Sequence, residues 1–128
     1  MKWIAFLLVA VVTSIVEPAV AGNLFTPLMT ASNVGEGRQI ECRVVNVGTK
    51  SQEITTDLIL DSGIVVDSST CTVEAGKEGC VAFGRCESPA FYCRAYCRFA
   101  AKSTRKIRGS ILLTPPTTGD AVAALPAF

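Results

Sequence analysis

Hydrophobic and polar residues alternate along most of this chain, in short runs separated by turn sequences. Alternation with a period of two predicts strands buried on one face. The first run is Leu24 to Thr30, where Pro27 predicts an edge strand or a strand that bends. "NVGEG" breaks the chain before Gln39 to Val47, in which Ile40, Cys42 and Val44 share a parity. "GTKS" turns into Gln52 to Leu60, with Ile54, Thr56, Leu58 and Leu60 on one side. Asp61-Ser62-Gly63 is a turn sequence, followed by Ile64 to Thr70. "EAGKEG" forms the next turn, and Cys80 to Arg85, Phe91 to Ala100 and Arg105 to Thr114 complete the set. About seven short strands at even spacing, with no helical period after the N-terminal segment, predict an all-β, immunoglobulin-like sandwich of two antiparallel sheets. A small open barrel is the alternative. The tail "PPTTGDAVAALPAF", residues 115–128, has little periodicity and is expected to be flexible or loosely docked.

The stretch "FYCRAYCRFA", residues 91–100, carries two patterns at once. Phe91, Cys93, Ala95, Cys97 and Phe99 share one parity and should face the core. Tyr92, Arg94, Tyr96 and Arg98 share the other and should face outward. Cys93 and Cys97 look like a metal or redox pair, but four strand steps of ~3.3 Å separate them by roughly 13 Å. A disulfide requires Cα atoms within about 7 Å, so each needs a partner on another segment. Cys42–Cys97 would join two sheets. Cys71–Cys80 would bridge a hairpin across "EAGKEG", and Cys86–Cys93 would close a corner. This is the favoured pairing among the many that six cysteines allow.

The N-terminus changes the setting. Lys2, an apolar run from Trp3 to Val16 and Ala19-Val20-Ala21 read as a secretory signal peptide over residues 1–21. The run is shorter than the ~20 residues of a membrane span, and Glu17-Pro18 interrupts it. The remainder, 22–114, is the size of one domain. Six cysteines in a short exported chain predict a disulfide framework, and a secreted or periplasmic location.

No histidine is present, which removes the commonest general base and the commonest metal ligand. The cysteine spacings lack the Cys-x-x-Cys of a thiol oxidoreductase. The carboxylates Asp57, Asp61, Asp67, Glu74 and Glu78 are scattered, so neither a calcium loop nor a nucleophile–base pair assembles. No cofactor is expected and no enzyme, a small carboxylate-based hydrolase being the remote alternative. Net charge is +1, giving no general attraction to nucleic acid. The charge is nevertheless uneven. Eight acids and four bases lie between Glu36 and Cys80, against seven bases and one acid between Arg85 and Arg108. If the last two strands form a hairpin through "AKSTRK", then Arg94, Tyr96, Arg98, Lys106 and Arg108 share an outer face. Such a face suits an anionic partner: a glycan, a lipid headgroup or an acidic protein surface.

"IECRVVNVGTKSQEITTDLILDSGIVV…STCTVEAG", the cysteine-rich strand and "IRGSILLT" together resemble small exported bacterial proteins of unassigned function. The resemblance implies a single immunoglobulin-like sandwich and an exported location, and no activity. The expected role is binding or structural, with assembly through strand edges as a further option.

Overall fold

The structure is a computed structural model that describes residues 22–32, 39–85, 92–114 and 123–128. The expected signal peptide lies outside these residues, as does Cys86, one half of the expected Cys86–Cys93 bridge. Among the described residues there are nine strands: β1 Gly22–Phe25, β2 Met29–Ser32, β3 Gln39–Asn46, β4 Gln52–Leu60, β5 Val65–Val73, β6 Glu78–Arg85, β7 Tyr92–Ala101, β8 Ile107–Thr114 and β9 Ala123–Pro126. One 3₁₀ turn, Thr104–Lys106, precedes β8. Among the described residues no helix is long and apolar enough to cross a membrane.

The strands form two antiparallel sheets packed face to face. The first has the order β1-β7-β4-β5, with β2 also on the outer edge of β7, and the second has the order β6-β3-β8-β9. The bend at Pro27 is explained by this layout. A proline cannot donate to a ladder, and the edge strand splits there: Gly22–Phe25 pairs with one half of β7 and Met29–Ser32 with the other. Asp61–Gly63 closes the β4–β5 hairpin. Gly63 takes a φ of 87°, a left-handed conformation that glycine adopts without strain, and Leu60 N–H bonds to the Ile64 carbonyl at 2.9 Å.

Parity assigns the core correctly. Ile40, Cys42 and Val44 from β3, Ile54 and Leu58 from β4, and Ala95, Cys97 and Phe99 from β7 are buried between the sheets. Cys42 and Cys97 are disulfide-bonded across the two sheets with Cα atoms 5.7 Å apart. Cys71 is bonded to Cys80. Its setting differs from expectation, because β5 and β6 belong to different sheets. The bridge therefore ties the corner where the chain crosses from one sheet to the other, and does not staple a hairpin.

Two further expectations fail. The last two strands of the expected set do not form a hairpin: β7 pairs with β4, β1 and β2, whereas β8 pairs with β3 and β9. The cause lies at Gly109. A Cβ there would stand 2.3 to 2.8 Å from three ring atoms of the buried Phe99. The bare backbone of β8 thus lies across the core from β7, under its aromatic ring, and the two strands face each other across the sandwich.

Of the tail 115–128, residues 115–122 lie outside the described residues, and 123–128 are not loose. Ala123–Pro126 pairs with β8, Ala127 N–H bonds to the Gly109 carbonyl at 2.8 Å, and Phe128 exchanges both backbone hydrogen bonds with Phe25 at 3.0 and 3.1 Å. The end of the chain therefore closes the seam between the two sheets, satisfying edge groups that would otherwise be open. A short segment with little alternation carries no strand signal because its pairing is made by the backbone. On the opposite side Asp67 of β5 accepts the Phe83 N–H of β6 at 2.9 Å, while Ile64, Val65, Val66, Val81 and Phe83 are exposed along that side.

Among the described residues Thr56 Oγ1 is the buried side-chain polar atom without a hydrogen-bond partner. It faces inward from β4, wholly buried. Desolvating a hydroxyl without a partner costs stability. Thr56→Val should therefore stabilise the domain by about 1 kcal/mol, read as a higher urea midpoint with an unchanged slope. A fall in the midpoint would show that the hydroxyl has a partner.

Candidate functional site

The expected basic face, Arg94, Tyr96, Arg98, Lys106 and Arg108, is not assembled. Arg94, Tyr96 and Arg98 lie on the outer side of the first sheet, whereas Arg108 is in β8 of the second and Lys106 is in the turn just before it. Nor is the first group freely cationic. Arg98 donates from Nε and Nη2 to Asp57 Oδ2 at 3.0 and 2.8 Å. Asp57 is buried beneath it, and its other oxygen accepts from Ser68 Oγ. Register explains the contact: Phe25, Arg98, Asp57 and Ser68 stand in one row across β1, β7, β4 and β5. Tyr96 packs its ring against Phe25 at a centroid distance of 6.4 Å. Of the three, Arg94 is exposed and Tyr96 and Arg98 are half-buried. Among the described residues this side of the first sheet is a cross-strand ladder, in which Arg94 is in no ion pair.

A different cationic surface is assembled by the topology. Three connections cross between the sheets at one end: 47–51 from β3 to β4, 74–77 from β5 to β6, and 102–106 from β7 to β8. The first two are tied together by Asn46, which is completely buried, and the third is tied in by its neighbour Val47. Its Nδ2 donates to the carbonyls of Lys50 at 2.8 Å and Val73 at 2.9 Å, and its Oδ1 accepts the Gly48 N–H at 3.0 Å. Its own N–H donates to the Lys77 carbonyl at 3.0 Å, and its carbonyl accepts from Gly76 at 2.7 Å. The neighbouring Val47 N–H donates to the Lys106 carbonyl at 2.9 Å. The backbones of Lys50, Lys77 and Lys106 are thus each one hydrogen bond from Asn46 or Val47.

Each connection brings bases with it. Lys50, Lys77, Lys102, Arg105, Lys106 and Arg108 are all exposed at this end. None of the six is in an ion pair among the described residues, where Arg43 and Arg98 hold the salt bridges. Lys77 immediately precedes β6, which flanks β3 on one side, and Lys106 precedes β8 on the other. Two strand spacings set them roughly 10 Å apart. The Lys106 stem lies over Gly48, whose absent Cβ would come within 3.1 Å of it. Arg108 folds back along the same end, donating from Nη1 to the Arg105 and Ile107 carbonyls at 3.1 and 2.8 Å. Three acids, Glu53, Glu74 and Glu78, lie among these bases in the connections and adjoining strand ends, and Glu78 is shared with Arg43 at 3.5 Å. The balance of the end is positive.

An open depression of ≈ 740 Å³ adjoins this end on the outer side of the first sheet. Ala100 lies on its floor, and Asn23 of β1 and Thr55 of β4 stand directly opposite Ala100 in register. A methyl group between two longer side chains leaves the hollow. Gln52, Glu53 and Lys102 line it towards the cationic loops.

Sequence reasoning placed two of the six bases, Lys106 and Arg108, in a functional face, and missed Lys50 and Lys77 as partners for them. Both of the missed lysines fall in the acid-rich half of the chain. The one available signal was that each stands beside a glycine-containing turn. No protein-family model, no curated protein and no solved structure matches the chain.

Proposed function

We propose that this chain is an exported, non-enzymatic binding domain whose cationic loop end engages an anionic partner. The observation that carries the reading is the convergence of Lys50, Lys77 and Lys106 on Asn46 and Val47, with Lys102, Arg105 and Arg108 beside them. Exposed bases without acidic partners keep their full attraction for an external anion, and a cluster sums the field. The loops are held by hydrogen bonds to the buried Asn46 and to Val47, so little backbone ordering opposes binding. The absence of histidine from the sequence and the scatter of the carboxylates favour a binding role over catalysis. The signal-type N-terminal sequence and the two disulfides favour a secreted or periplasmic location.

The test is titration of the protein against three polyanions of different chemistry: polyaspartate, a uronic-acid oligosaccharide and vesicles containing phosphatidylglycerol. Wild type should bind at least one of them at low ionic strength and weaken as salt is added. Replacing the three central lysines together, Lys50→Glu/Lys77→Glu/Lys106→Glu, should weaken binding by about 100-fold, at ~1 kcal/mol for each cation near an anionic surface. These side chains are exposed, so the melting temperature should hold. Arg94→Glu, on the outer side of the first sheet, should change the affinity little. Binding lost in Arg94→Glu and kept in the triple variant would refute this site, as would wild type that ignores all three probes.

A further inference from the structure

Resting on that reading, we infer that the anionic partner is an acidic saccharide chain, with its sugar rings in the depression over Ala100 and its acidic groups on the adjoining cations. The depression and the cationic loops are continuous through Lys102, which lines the one and begins the other. Its volume of ≈ 740 Å³, open to solvent, leaves room for an extended ligand lying along the surface.

The chemistry of the lining separates a saccharide from the other polyanions. Asn23 and Gln52 carry amides and Thr55 a hydroxyl, groups that both donate and accept. Thr55 Oγ1 is held by Thr70 Oγ1 at 2.9 Å, which fixes its rotamer and leaves hydrogen-bonding capacity for a ligand. Sugar hydroxyls likewise donate and accept, so such a wall matches a ring whose hydroxyls point both ways. Glu53 on the same wall accepts hydroxyl protons, while Lys102 beside it attracts a ligand carboxylate or sulfate.

A lipid surface calls for something else. Membrane-seated loops present a cluster of apolar side chains for insertion, and of the exposed large hydrophobics only Val47 lies in the three loops. An acidic protein partner would be anchored by buried aromatic side chains. None lines the depression, and among the described residues the exposed aromatics Phe25, Phe83 and Phe128 lie outside the loops.

The decisive variant fills the depression and leaves every cation in place. Ala100→Tyr puts a ring into the space between Asn23 and Thr55, on a half-exposed outward position. Ala100→Ser is the control. Wild type should bind a uronic-acid oligosaccharide more tightly than polyaspartate or phosphatidylglycerol vesicles, and should ignore a neutral oligosaccharide of equal length. Ala100→Tyr should lower affinity for the oligouronate about tenfold or more, a loss well above titration error, while its weaker binding to polyaspartate is unchanged. Ala100→Ser should match wild type, and equal melting temperatures will show that both variants fold. An Ala100→Tyr protein with unchanged oligouronate affinity overturns the inference. So does a preference for vesicles or polyaspartate, although the cationic loop end then still stands as an anion site. Failure to bind any polyanion removes both.

Discussion

Removing the bridge between the sheets, as Cys42→Ala/Cys97→Ala, is expected to lower the unfolding free energy by about 4 kcal/mol. The two residues are 55 positions apart, and the entropy lost by an unfolded chain grows with the loop that a bridge closes. The bridge also stands in the centre of the core, where both cysteines are completely buried between Ile40, Leu58, Phe99 and Ile111. Its loss thus leaves unfilled space in addition to a freer denatured state. A domain of this size has about 5–15 kcal/mol in all, so the effect is a large share of the total. Cys71→Ala/Cys80→Ala, with a separation of 9, should cost about 2.5 kcal/mol by the same relation. Urea unfolding of the two double variants against wild type checks the order. A smaller loss for the Cys42–Cys97 pair would mean that the denatured state is already restricted there by other means.

Asn46→Ala is expected to cost about 2–4 kcal/mol, because three hydrogen bonds of a buried amide disappear together, one of them fully buried. The Lys50 and Val73 carbonyls and the Gly48 N–H would each lose the side-chain partner they now have. Leaving such groups unmet is more costly than the bonds themselves are stabilising. The same change should act on binding. With the Asn46 side chain gone, connection 47–51 keeps its Val47–Lys106 backbone bond but loses the ties at Gly48 and Lys50, and Lys50 is no longer held beside Lys77 and Lys106. Affinity for the polyanion should fall in protein that is still folded at low temperature. The pattern differs from that of the triple lysine reversal, which lowers affinity and leaves the melting temperature in place. If Asn46→Ala melts like wild type, the buried amide is not what gathers the loops.

The ladder Phe25–Arg98–Asp57–Ser68 illustrates why a charged, outward-facing residue need not be a binding residue. Parity correctly places Arg98 on the outer side of its strand. It does not reveal that β4 lies alongside with Asp57 in the same row, so that the guanidinium is already engaged. Lys50 and Lys77 show the converse. Counted along the chain they belong to an acid-rich half, yet the crossovers carry them to the end where Lys102, Arg105 and Lys106 stand.

These cases mark what each level of description determines. The alternation of side chains is a property of a single extended backbone, with successive residues on opposite faces. It therefore defines, from sequence alone, the buried set Ile40, Cys42, Val44, Ala95, Cys97 and Phe99, and the reason Cys93 and Cys97 cannot serve each other. The split at Pro27 and the turn at Asp61–Gly63 are similarly local. Which strand lies beside which is decided by contacts far apart in the chain. A connection such as "AKSTRK" is long enough either to turn back within one sheet or to cross to the other. The choice is made where Phe99 meets the bare backbone of Gly109 and where Phe128 pairs with Phe25. Sheet membership then sets where every charge on a loop comes to rest. The cationic end is for that reason a product of the tertiary structure, even though each of its lysines and arginines was visible in the sequence.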